Sequence, residues 1–316
     1  MRSGRSETAV PSHATHLNSR TPLTRRYYTR AGEHPELQSG ANPDGTGRLR
    51  ELTARAPVNK GRQLILLCNA RRAWGHPDGL QRGEEAISAF EDVIERFGTA
   101  PELPLRQSVA DALVRKVRTL GELNHGEGVI AVCNDLFALF GAASEPPLRE
   151  VVAGALFSKA EWLDALGYSK QATTVYDNVI ERFSAATELS LRECVANAFV
   201  NKGIILLRAL GCGDDAIAVY DNAVKRFGAA TELPLRQCVA NALVNKGITL
   251  AALGREAEAI AACDDLIERF SAANEPALQE AVVTANSIRN DLRRSKISSQ
   301  QPGDSEKEVF PKSSSG

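Results

Sequence analysis

Between Thr231 and Phe270 the apolar residues fall with a helical beat. Leu235, Cys238, Val239, Ala242 and Leu243 recur at i, i+3, i+4, i+7 and i+8 and make one stripe. Ala240, Val244, Ile248 and Ala251 add apolar character on the opposite side, the pattern of a helix packed between neighbours. Gly254 ends that run. A second begins with Ala259, Ile260, Cys263, Leu266, Ile267 and Phe270 on one face, leaving Glu256, Asp265, Glu268 and Arg269 outside. The pattern predicts two helices joined by a tight turn.

The same unit recurs along most of the 316 residues. Second helices are expected to end at Phe97, Phe140, Phe183, Phe227 and Phe270, giving spacings of 43, 43, 44 and 43. The longer spacing has a visible source, since Asn201 to Gly211 is one residue longer than Asn245 to Gly254. A fixed period of this size, built from one supersecondary unit, signals a solenoid. Ser144, Thr187, Thr231 and Asn274 stand where N-caps are wanted, each followed by a Glu (145, 188, 232, 275) that suits the helix dipole. Pro104, Pro147 and Pro234 fall in the first turn, where a missing N–H does little harm.

Both ends of the array depart from the pattern. Residues 49–69 contain Val58-Asn59-Lys60-Gly61, the phrase that returns at 200–203 and 244–247, and read as a first helix disturbed by Pro57. An insert around Trp74 to Gly79 is expected to delay the matching second helix to about residue 83. Residues 276–293 read as a first helix with no second. There Asn286 and Asn290 replace Leu243 and Gly247, as in a solubilising cap. The expected organisation is a tail over 1–48, five helix pairs plus a capping helix over 49–294, and a second tail over 295–316. The first tail is rich in Arg, Ser, Thr, Gly and Pro and holds no period. It reads as disordered, or as an extension upstream of the native start, and lacks the apolar core of a secretory signal.

The unit resembles the tetratricopeptide repeat. A helix ending in Leu-Gly is followed, after the turn, by Ala-x-x-x-aromatic: Leu166-Gly167 with Ala172 and Tyr176, and Leu210-Gly211 with Ala216 and Tyr220. Leu253-Gly254 with Ala259 and Cys263 follows the pattern except at the aromatic. Ala86 and Phe90 match in the first pair, and Val129 and Cys133 match more weakly. The likeness spans roughly residues 50–294. The family period is about 34 residues, so this is a lengthened variant whose surplus is expected to add about two turns to each first helix. The resemblance implies an all-α, right-handed solenoid of stacked helix-turn-helix repeats that binds a protein or an extended peptide in a groove lined by first helices.

Composition narrows the functional classes. A formal net charge of -1 and 5% aromatic residues disfavour a helical-repeat RNA binder or a membrane-surface protein. No apolar run is long enough for a transmembrane helix. The six cysteines form no CxxC pair and no zinc-like spacing, and Cys133 and Cys263 stand where Phe90, Tyr176 and Tyr220 do in other units. They read as reduced core thiols, which fits a cytoplasmic protein. No phosphate-binding glycine loop, nucleophile elbow or HExxH motif is present, so neither an enzyme nor a cofactor or metal protein is expected.

Three recurrent polar positions are candidates for function. Asn197 with Asn201, and Asn241 with Asn245, are i,i+4 pairs on successive first helices. Their amides either hold a ligand's backbone or carboxylate, as in peptide-binding members of the resembled family, or bond across repeats and set the stacking. Lysine recurs at 60, 116, 159, 202 and 246, in the middle of the apolar stripe, which is unusual unless the head group is paired or snorkels. Asp177, Asp221 and Asp264 are candidate partners within each repeat; the other reading makes Lys202 and Lys246 part of a basic groove for an acidic peptide. Arg106, Arg149, Arg192 and Arg236 read as solvated first-turn residues. The expected function is a non-enzymatic interaction scaffold, contacting its partner through Asn197, Asn201, Lys202, Asn241, Asn245 and Lys246. A self-associating structural or regulatory subunit is the alternative.

Overall fold

The computed structural model describes the backbone of residues 46–73 and 79–300, and side chains within 47–66 and 81–294. Most of the expected tails lie outside these residues, as does the insert around Trp74 to Gly79 except for its last residue. The described chain holds eleven helices and is an all-α solenoid of stacked helix pairs. In order they are α1 (Thr46–Ala73), α2 (Gly79–Phe97), α3 (Leu103–Glu122), α4 (Gly126–Phe140), α5 (Pro146–Ala165), α6 (Ser169–Arg182), α7 (Leu189–Arg208), α8 (Gly213–Phe227), α9 (Leu233–Ala252), α10 (Glu256–Phe270) and α11 (Pro276–Gln300). Two compact units divide within α9, after Ala242.

In the first unit each helix packs on the next, from α1 to α8, and first helices also touch the first helices of the following pair. The five terminal phenylalanines are all buried. The regular first helices are 20 residues long, against 14 or 15 for the second helices α4, α6, α8 and α10. The extra residues of the lengthened period therefore sit in the first helices. In the second unit the remainder of α9 runs into α10, and α10 packs on α11.

Several details differ from expectation. Pro57 lies inside α1, which continues through it for 28 residues. The helices also reach further at both ends, to Thr46 and to Gln300. The residues that cap α3, α5 and α7 are Glu102, Glu145 and Glu188, with no side-chain cap bond. Thr187 and Thr231 stand one residue earlier, and their backbone N–H groups donate to Glu188 Oε2 and Glu232 Oε2, both at 3.1 Å. The described turns inside the pairs use a left-handed residue: Gly167, Gly211 and Gly254 have φ of 87°, 67° and 73°. In the α3–α4 turn that place is taken by Asn124 at φ 60°, a non-glycine residue type that tolerates the region.

Helix pairing rests on matched large and small residues. A Cβ added to Gly61 would meet Phe90 Cζ at 2.6 Å, and one added to Gly203 would meet Tyr220 Cζ at the same distance. The aromatic ring of the second helix thus lies directly on the first-helix backbone. Gly247 faces the smaller Cys263, whose Sγ would stand 3.2 Å from such a Cβ.

A polar seam between repeats as the candidate functional site

The recurrent polar residues of the first helices gather along the seams between repeats. Lys116 Nζ donates to Glu91 Oε1 at 2.7 Å, and Lys202 Nζ to Asp177 Oδ1 at 2.5 Å. In the second unit Arg289 occupies the lysine position and donates to Asp264 Oδ1 at 2.9 Å. Asp177 and Asp264 are therefore partners, as proposed from the sequence, but the geometry is corrected. Each acid lies on the second helix of one repeat and its cation on the first helix of the next. The cause is the stacking: the outer edge of a second helix meets the following first helix. The lysine stems cross apolar surface while the heads reach the rim, leaving Lys116 and Lys202 under a fifth exposed.

Two members of the series break the pattern for readable reasons. Lys60 lies on α1, the first helix described, and is exposed. Lys159 faces Asn134 in the register where Glu91 and Asp177 stand, and it forms no ion pair among the described residues.

A second seam joins successive first helices. Arg106 donates to Glu145, Arg149 to Glu188 at 2.5 Å and Arg192 to Glu232 at 2.5 Å; Arg50 in α1 donates to Glu102 at 2.6 Å. The expectation of solvated first-turn arginines is thus corrected at Arg106, Arg149 and Arg192, which are only 26–30% exposed. The arginine of one repeat grips the N-terminal Glu of the next, where that carboxylate also receives backbone N–H groups. Glu145 is held below the usual carboxylate range, first by its own backbone N–H and then by Arg106. Glu232 is held low by its own N–H and by Arg192. The sequence contained this signal as an Arg and a Glu at fixed repeat positions, but pairing them requires knowing which helix ends become neighbours.

The asparagines divide by exposure. Asn197 is buried; its Nδ2 donates to the Glu193 carbonyl at 2.9 Å and its Oδ1 accepts from Cys238 Sγ at 3.0 Å. Asn201 is half-buried and donates to the Tyr176 hydroxyl at 3.3 Å. Tyr176 is buried edge-on against Phe157, and burial pushes its phenol well above the ordinary value while the bond from Asn201 draws it back. Asn245 is buried, Lys246 is half-buried and Asn241 is exposed. Of the six candidates, Asn241 reaches furthest into solvent, Asn201, Lys202 and Lys246 reach the surface in part, and Asn197 and Asn245 do not.

The cysteines whose side chains are described are all free, and four of the five are buried. Burial pushes the thiols of Cys133 and Cys263 up to about 12 and about 11. Cys68 lies where side chains are not described. Among the described residues no group of His, Cys, Asp and Glu is placed to hold a metal ion, and no helix is long and apolar enough to cross a membrane.

No family model matches the chain, and no curated protein matches it. Among solved structures, it is similar to the crystal structure of an engineered protein, at 13% identity and a TM-score of 0.46, over 84% of this chain and 97% of that one.

Proposed function

We propose that this chain is a tetratricopeptide-like scaffold, cytoplasmic and non-enzymatic, that binds a partner protein or extended peptide along its first helices. The observation that carries the reading is the contrast on those helices between invariant and variable positions. The arginine-seam positions repeat with the same charges from unit to unit, as stacking demands. The stripe that includes the asparagines does not: it reads Arg55-Asn59-Arg62, then Asp111-Arg115-Arg118, Gly154-Ser158-Glu161, Asn197-Asn201-Ile204 and Asn241-Asn245-Ile248. Fixed stacking chemistry beside a changing strip, exposed at Arg55, Asn59, Arg62 and Asn241 but buried at Gly154, Ser158, Asn197 and Asn245, suits a surface adapted to an irregular partner. Within it Asn241 is exposed, and an amide side chain carries both donor and acceptor groups.

Site-specific photo-crosslinking tests the reading. A crosslinker at Asn241 should capture a partner, whereas one at Glu268, exposed on the outer side of α10, should not. Equal capture at both positions would sink the groove assignment. Capture only of a second copy of the chain would favour the self-associating subunit instead.

A further inference from the structure

α1 exposes a face that the other first helices keep covered. Leu49 is 66% exposed, whereas Leu105, Leu148, Leu191, Leu235 and Leu278 in the same register are 0–2% exposed. Leu52 is 56% exposed where Cys194 and Cys238 are buried. Ala56 is exposed, and the alanines that match it at 112, 155, 198, 242 and 285 are all buried. Leu49, Leu52 and Ala56 fall at i, i+3 and i+7, so they form one stripe on one side of the helix.

The other repeats show what covers such a stripe. α3, α7 and α11 each receive on this side the second helix that precedes them, and each such helix brings one acid. Glu91 pairs with Lys116, Asp177 with Lys202 and Asp264 with Arg289. α1 has Lys60 in that register, exposed and in no ion pair among the described residues. Arg48, also exposed, stands at the other end of the stripe, about 18 Å from Lys60 along the helix. Among the described residues no helix precedes α1. An end face left to water is expected to turn polar, as α11 does by placing Asn286 and Asn290 where Leu243 and Gly247 stand. α1 keeps its leucines, and with Lys60 it retains both parts of the stacking chemistry.

We infer that this side of α1 docks an acidic amphipathic helix of another polypeptide, held as α2 is held on α3 and α6 on α7. Its apolar stripe lies on Leu49, Leu52 and Ala56, and an Asp or Glu beside that stripe reaches Lys60. A second copy of this chain is a poorer occupant, because its second helices are already engaged by first helices of their own chain. Two α1 faces brought together would oppose like charges at Arg48 and Lys60. Residues 1–45 are net basic, as this face is, and lack a helical period. The site shares no residue with the strip proposed above, so either can fail without the other.

The probe is a fluorescein-labelled peptide of residues 83–97, the second-helix segment that carries Glu91, added to the purified full chain. A saturable rise in anisotropy is expected. L52D should weaken binding by about tenfold or more, the scale of one leucine side chain lost from an apolar contact. K60E should weaken it as well, and an E91K peptide should bind K60E better than it binds wild type. Leu52 and Lys60 are exposed in the free chain, so both variants should keep the wild-type circular dichroism. V283D, which alters an exposed apolar residue on α11, should bind as wild type does. A photo-crosslinker at Leu52 should join the peptide. No saturation, indifference to L52D, failure of the charge exchange, or crosslinks that run to residues 1–45 or to a second copy in place of the peptide would overturn the inference.

Discussion

Asn201 shows how one amide can be demanded by the fold and still stand beside a surface. Its Nδ2 donates to a phenol that is otherwise sealed from water. Removing the donor leaves the Tyr176 hydroxyl buried without that partner, and such groups cost more than the bond itself contributes. N201A should therefore lose about 1–3 kcal/mol of stability in urea denaturation. In a Y176F background the same substitution should cost distinctly less, because no hydroxyl is left to satisfy. Equal costs in the two backgrounds would show that the bond does not carry the effect.

At the scale of the helix, the two seams act on different edges of the first helices and answer to different experiments. The lysine seam is missing one rung, where Lys159 faces Asn134. N134D supplies the acid in the register used by Glu91 and Asp177. It should stabilise the chain by about 0.2–1 kcal/mol, the range of surface ion pairs, with the gain shrinking as salt is added. A gain that persists in high salt would point to another cause. The arginine seam is tested by pH. Glu232 titrates below the ordinary carboxylate value in the folded chain, because its own N–H and Arg192 favour the charged form. A depressed folded value adds stability above the unfolded value, and that stability is lost as pH falls through the folded value. Wild type should therefore lose more stability between pH 7 and pH 3 than R192Q does, although R192Q keeps the part due to the backbone N–H. An acid loss in R192Q as large as that of wild type would separate Arg192 from the titration.

Across the whole molecule, what could be read from the sequence was what repeats locally. Apolar stripes such as Leu235 to Leu243, the turn glycines at 167, 211 and 254, and the terminal phenylalanines each act within one or two helices, so period alone places them. The seams were not legible in that way. Lys202 and Asp177 are 25 positions apart and Arg149 and Glu188 are 39 apart, and only the stacking geometry says which helices meet. The helix starts were misjudged for a related reason. Thr187 and Thr231 have the chemistry of caps, yet Glu188 and Glu232 stand at the helix ends, where each receives an arginine from the preceding repeat. Arrays held together by neighbour contacts have a further consequence. In a quasi-one-dimensional stack, stability is a sum of unit and neighbour terms, so local damage need not spread. Leu278 on α11 is fully buried, and L278A should cost about 2–5 kcal/mol of local stability. Hydrogen exchange should accelerate in α10 and α11, the helices that pack on each other, while amides of α3 to α6 keep their protection. Acceleration of equal size in every helix would show instead that the chain unfolds as one cooperative body, and the neighbour-contact description would then be wrong for this protein.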